Sequence, residues 1–215
     1  MTYIVKKAGD ISAPFRFDGE FDPSKAFPPY DRLNEAEIAD YAWEDQYPDR
    51  FPAFARVGWN EDGLYVLMYA LENPIRTAVT EWGSAQCTDS CMEFFVCPFP
   101  EKDDRYLNIE VNPLPTAHIG LGSGRHERHV YTGPIEGMDI VSSTHNGKYW
   151  AVSYRIPASL IQKVYGMKLE SGLKMRANFF KCSEAIHPHF GTWNHVGTKR
   201  PDFHTPDYFG ELVLE

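Results

Sequence analysis

The chain has 215 residues, 43% hydrophobic and 14% aromatic, enough for one large domain with a core of its own. Its net charge of -9 and the lack of a basic stripe exclude a surface built to neutralise nucleic-acid phosphates or an anionic membrane. No apolar run approaches the roughly 20 residues of a membrane span, and the start lacks the apolar core of a signal peptide. The chain as written is therefore expected to be soluble and cytoplasmic; a mature secreted or periplasmic form trimmed of its leader would read the same.

In chain order, the first fifty residues are irregular, aromatic and Pro-rich, with a short helix expected over Asn34–Tyr41 and Trp43 as a packing anchor. Phe54-Ala-Arg-Val-Gly-Trp59, Asn60-Glu-Asp-Gly63 and Leu64-Tyr-Val-Leu-Met-Tyr-Ala-Leu71 read as a hairpin. Its second strand is apolar on both faces, which places it centrally in a layered structure. Further strands are expected at Met92–Cys97, Arg105–Asn112, Ala117–Leu121, Met138–Thr144, Tyr149–Ile156, Lys174–Lys181 and Gly210–Leu214, with an Asn146-Gly147 turn before the fifth of these. One helix stands out over about 157–165, with Pro157 at its first turn and Gly166 ending it. Many short strands with turn signals between them predict an all-β, antiparallel β-sandwich. A single domain over 1–215 is expected, with residues 1–53 as a divergent segment packing on the sandwich. The stretches Glu72–Asp89 and Ser183–Asp207 are loop-like, rich in Trp, His, Pro and Gly, and long enough to build a site.

Within Arg105-Tyr-Leu-Asn-Ile-Glu-Val-Asn112, Leu107, Ile109 and Val111 point one way and Tyr106, Asn108, Glu110 and Asn112 the other. Amides, a carboxylate and a phenol in register suit recognition of a polyhydroxylated ligand. Glu93 lies on the neighbouring strand candidate and must face a polar concavity or a buried partner such as Arg76, Arg155 or Arg176. Trp82, in the polar loop Thr80-Glu-Trp-Gly-Ser84, and the loop aromatics Trp193 and Phe203 are candidates for covering a sugar ring's C–H face. His204 is a candidate for the rim.

The order Trp59-Asn-Glu-Asp-Gly-Leu-Tyr-Val, Trp82, Asp89-Ser…Glu93-Phe-Phe, Tyr106…Asn112, Trp150…Tyr154-Arg-Ile-Pro and Pro206…Phe209-Gly-Glu-Leu resembles the family 9 carbohydrate-binding modules from about Phe54 onward. The resemblance implies an antiparallel β-sandwich that binds a mono- or oligosaccharide without turnover, its ring between two aromatic side chains. It places Trp82 at the first clamp and Phe203 at the second, with Trp193 as a substitute ten residues earlier. It places Glu93 on the family's sugar-contacting Glu, Asn108 where a strand Arg stands, and Asn178 where a strand Gln stands. The resulting ligand set is Trp82, Glu93, Asn108, Glu110, Asn178, Trp193, Phe203 and His204.

Other chemistries remain open at this stage. Glu93 and Glu110 on paired strands raise the possibility of a glycan-active enzyme, whose carboxylates stand about 5–10 Å apart. Relatives sharing the sandwich hold b-type haem, for which Met92, Met138 or Met175 with His118 or His204 would supply axial ligands. His187-Pro-His189, His195 and His204 invite a metal, as do Cys87 and Cys91, which could instead be bridged; Cys97 and Cys182 read as buried thiols. Asn60-Glu-Asp62 and Asp103-Asp104 are candidates for a structural calcium. Oligomeric state and the identity of the sugar are not legible.

Overall fold

The computed structural model describes residues 1–215. In chain order the strands are β1 (Thr2–Lys7), β2 (Glu35–Glu37), β3 (Ala53–Asn60), β4 (Gly63–Ala70), β5 (Cys91–Cys97), β6 (Tyr106–Val111), β7 (Ala117–Gly122), β8 (Arg128–Tyr131), β9 (Val141–His145), β10 (Tyr149–Pro157), β11 (Lys174–Ser183), β12 (His189–Thr192) and β13 (Gly210–Leu214). The helix α1 (Ala158–Tyr165) lies between β10 and β11.

Two sheets face each other. The front sheet runs β8-β7-β6-β5-β11-β13-β1, with β12 extending it along the far half of β11; the back sheet runs β1-β3-β4-β10-β9, with β2 on β3. β1 belongs to both: Thr2–Val5 pair in parallel with β13, and Lys6–Lys7 pair in parallel with β3. Every other pairing is antiparallel. Inward residues of the two sheets, among them Phe94, Ile109 and Phe179 from the front and Trp59, Val66, Trp150 and Tyr154 from the back, form the main core.

The apolar run of β4 is explained by a third layer. Leu64, Val66 and Met68 face the sandwich core, while Tyr65, Leu67 and Tyr69 lie beneath Ile11, Phe21, Phe27, Tyr30 and Leu33 of the N-terminal segment. Both faces are therefore dry, and all eight residues of β4 are buried. On α1, Leu160, Ile161 and Tyr165 turn inward, and Gly166 closes the helix at φ 68°, its N–H donating to the Gln162 carbonyl.

Two readings of the sequence need correction. Residues 34–41 contain no helix: Ala36 pairs with Ala55 of β3 and is buried while Glu35 and Glu37 point out, a two-residue period that Glu and Ala propensities concealed. β8 and β12 went unread because each has four residues and no clear apolar alternation, and β1 because Tyr3, Ile4 and Val5 run together without one.

Candidate functional site

Alternation on the front sheet separates its two faces. Met92, Phe94 and Val96 of β5, Leu107, Ile109 and Val111 of β6, and Met175, Ala177 and Phe179 of β11 enter the core. Register then aligns the outward residues in rows across the strands: Phe180 opposite Glu93, Glu93 opposite Glu110, and Glu110 opposite His118. The next row is Asn178, Phe95, Asn108 and Gly120. None of this is open sheet surface, because the 72–90 and 184–209 loops fold over it and leave a cavity of about 360 Å³ with Glu93 and Glu110 lining it.

The 72–90 loop is pinned by the Asp89-Ser90 pair. Buried Asp89 accepts the backbone N–H groups of Ala78 and Val79 at 2.8 Å, accepts Asn112 Nδ2 at 3.0 Å and pairs with Arg76. Ser90 Oγ accepts the Arg76 N–H at 2.9 Å. The second loop is held by Asn178, whose side chain donates to the Asn194 carbonyl and accepts the Asn194 N–H, both at 2.8 Å. Trp43 Nε1 donates to the Thr198 carbonyl at 2.7 Å, and the Trp43 ring packs on Phe190 and Phe203. Phe203 in turn stacks on Phe180, with centroids 4.1 Å apart and planes 11° apart. The aromatic wall of the cavity is thus fixed from behind.

The floor holds buried carboxyls among neutral donors. Glu93 Oε1 accepts Cys182 Sγ at 3.1 Å, and Glu110 Oε1 accepts Asn108 Nδ2 at 2.8 Å. Burial, and then the Glu110 charge, push the Glu93 carboxyl well above its ordinary pKa. Burial also raises Glu110, against the opposing pull of His118, Arg128 and the Asn108 hydrogen bond. Arg128 Nη1 donates to Asn108 Oδ1 at 3.2 Å and to His204 Nε2 at 2.9 Å. His204 Nδ1 meets Tyr106 Oη at 2.8 Å and lies 3.2 Å from the same Arg128 nitrogen. Burial and the flanking Arg128 and Arg125 push His204 down to about 3, so its ring is neutral. His118 Nδ1 donates to the carbonyls of Gly83 and Ser84, at 3.1 and 3.0 Å, and its Nε2 is buried without a hydrogen-bond partner on the cavity lining. At the mouth, Arg125 reaches Asp202 across the loops at 2.7 Å.

Glycine is required at position 120. A Cβ there would sit 2.2 Å from Asn108 Oδ1 and 3.1 Å from Arg128 Cδ, so the chain of Glu110, Asn108, Arg128 and His204 exists only because β7 offers no side chain beneath it.

Of the residues singled out from sequence, Glu93, Glu110, Phe203 and His204 line the cavity together. Asn108 lies one row away and acts on Glu110. Asn178 is engaged by Asn194 and the Phe179 N–H and holds the loop. Trp193 is in the sandwich core against Tyr3 and Phe179, because its N–H pairs with the Phe179 carbonyl and its side chain points inward with Phe179. Trp82 is half-buried against the same core, although Gly83 and Ser84 beside it line the cavity. Sequence reasoning missed Arg125, Arg128, Cys182 and Phe190; His118 was legible from the alternation of β7, being out of phase with Ala117 and Ile119.

The remaining candidates separate in space. Glu93 has no guanidinium partner: Arg76 pairs with Asp89, Arg155 donates to the Gly137 carbonyl, and Arg176 to the Phe209 carbonyl. Met92, Met138 and Met175 are inside the core, on the opposite face of the front sheet from His118 and His204, so no haem slot lies between them. His187 meets Asp49, His195 meets Asp40, and His189 is buried beside Lys181, so these rings and His204 do not converge. Asp103 is engaged by Arg105, and Asn60 by the Asp62 N–H and the Ile11 carbonyl. All four cysteines are free thiols. The donor atoms of Cys91, Glu93 and Cys182 lie within 4.8 Å of one another, and all three residues are buried.

A two-sheet β-sandwich with a polar, aromatic-walled cavity on one sheet defines a small-molecule binding module. The family model described as carbohydrate-binding family 9 matches residues 29–214, and the chain belongs to that family. The match begins well before Phe54 and takes in β2 and Trp43. The chain is 26% identical, at a TM-score of 0.81, to a Bacteroides uniformis protein provisionally described as carbohydrate-binding, covering 100% of this chain and 99% of that one. Two structures of a family 9 module from Caldicellulosiruptor kristjanssonii, one with glucose and one with cellotriose, share the fold at 16% identity and a TM-score of 0.67. They cover 100% of this chain and 96% and 94% of theirs. No curated protein sequence matches this one.

Proposed function

We propose that the chain binds a saccharide non-catalytically in the cavity above Glu93 and Glu110. The observation that carries this reading is the pairing of the two carboxyls, side by side in register, with an aromatic wall at the same cavity. A pyranose has an apolar C–H face and a belt of hydroxyls, and the cavity offers a counterpart to each. Phe203 and Phe190 would take the ring face. Glu93, Glu110, Arg128 and His118 Nε2 would take the hydroxyls, and the neutral His204 keeps Arg128 in place. The second wall is the Gly83–Ala85 backbone and His118 rather than an indole, so stacking is one-sided.

The family membership and the glucose and cellotriose complexes of the similar module support the saccharide class. Calorimetric titration with a panel beginning with glucose and cellotriose tests it. Wild-type protein should bind at least one member, and Glu93→Gln and Phe203→Ala should each weaken it about 10-fold or more, the loss expected for one buried hydrogen bond or contact. Equal affinity in both variants would remove the cavity from the reading.

A further inference from the structure

β5 and β11 bring three soft and hard donors together where the cavity meets the sheet. Cys182 is opposite Cys91 in the register, and Glu93 follows two residues after Cys91 on the same face. Both thiols are at 0–1% exposure and Glu93 at 3%, with Glu93 and Cys182 among the cavity-lining residues. No cation neutralises the group. The hydrogen bond that Glu93 makes is to Cys182 Sγ; Arg125 is engaged by Asp202; and Lys181 points to the other face of the sheet, where it meets Glu72 at 3.0 Å.

We propose that Cys91, Glu93 and Cys182 form a binding site for a thiophilic divalent cation of the zinc class, with the fourth position turned toward the cavity. Zinc bonds of about 2.3 Å to sulfur and about 2.0 Å to oxygen set tetrahedral donors roughly 3.5 Å apart. The 3.1 Å separation of Cys182 Sγ and Glu93 Oε1, and the 4.8 Å limit on the whole group, bracket that spacing. Two thiolates select against magnesium and calcium, which take oxygen ligands. Three protein donors and one open position are the arrangement of a metal that meets a ligand, not of a closed structural site. Cys87 lines the same cavity. The site shares Glu93 and the cavity with the carbohydrate reading, but cobalt absorption and saccharide titration are separate measurements, so either reading can fail while the other stands.

Cobalt is the probe, because its tetrahedral thiolate complexes absorb in the visible and near ultraviolet. The reduced, chelator-treated protein is titrated with cobalt(II) anaerobically and then with zinc. The expected result is one equivalent bound, with a thiolate-to-cobalt charge-transfer band and intense d–d bands that zinc abolishes. Cys91→Ser with Cys182→Ser should abolish the charge-transfer band. Glu93→Gln, which keeps an acceptor for Cys182 and so preserves the fold, should weaken cobalt binding about 10-fold or more with the band retained. A wild-type titration without the charge-transfer band overturns the site, as does a band that survives the double cysteine substitution or an affinity unchanged in Glu93→Gln.

Discussion

Glu93 is the residue on which electrostatics and the proposed binding meet. Because burial raises its pKa above the ordinary 4.5, the native state keeps a proton that the unfolded chain releases. Its contribution to stability is complete below the unfolded pKa and is lost as pH rises through the folded value. Gln preserves the acceptor for Cys182 without the charge, so Glu93→Gln should raise Tm, and by more at about pH 8 than at about pH 4. His204 acts with the opposite sign. Its folded pKa near 3 lies below the ordinary 6.5, so its contribution is full above 6.5 and drains away as pH falls toward 3. Buried His189, lowered to about 2 by burial and Lys181, adds to the same loss. Below about 4.5 the Glu93 contribution is already complete while the histidines still drain, so wild-type Tm should fall as pH drops from about 4.5 toward 3, as a pH series of thermal melts would show. Gly120→Ala should cost about 1–3 kcal/mol and weaken the ligand, because the new methyl displaces Asn108 and Arg128 together; denaturant unfolding measures the first and titration the second.

At the scale of elements, β1 holds the two sheets to each other. Where β1 leaves β3 and β2 begins, the Val57 N–H has no strand partner, and Tyr3 Oη accepts it at 2.9 Å while donating to the Asn34 carbonyl. Tyr3→Phe leaves that buried N–H orphaned and should cost about 1–3 kcal/mol in urea unfolding. Elements with a strong period were legible in the sequence: β4 from its unbroken apolar run, β6 from its strict alternation, α1 from Pro157 and Gly166. Edge and linking strands were not, since β8 has four residues, none of them buried, and β1 depends on partners far along the chain. The same limit governs the site. Glu93 and Glu110 were legible because strand period fixes their face. The choice between Trp193 and Phe203 was not, because it turns on β12, a strand hidden in an aromatic loop, which sends Trp193 inward while the chain beyond it carries Phe203 back over Phe180.

On the scale of the whole molecule, the three layers assign separate tasks. The N-terminal segment covers the outer face of the back sheet, the sandwich core fixes the register, and the outer face of the front sheet carries the cavity beneath its two loops. The same N-terminal segment reaches the site through Trp43, and the Asp40 to Thr192 bridge ties it to the end of β12. The most direct test of the central claim is a two-dimensional ¹⁵N–¹H spectrum of the protein recorded while cellotriose, or the tightest saccharide of the panel, is titrated in. Shift changes should concentrate at the backbone amides of Gly83, Ser84, Glu93, Glu110, His118 and Phe203. Changes confined to the back sheet or the N-terminal layer, or a spectrum that no saccharide alters, would contradict that claim.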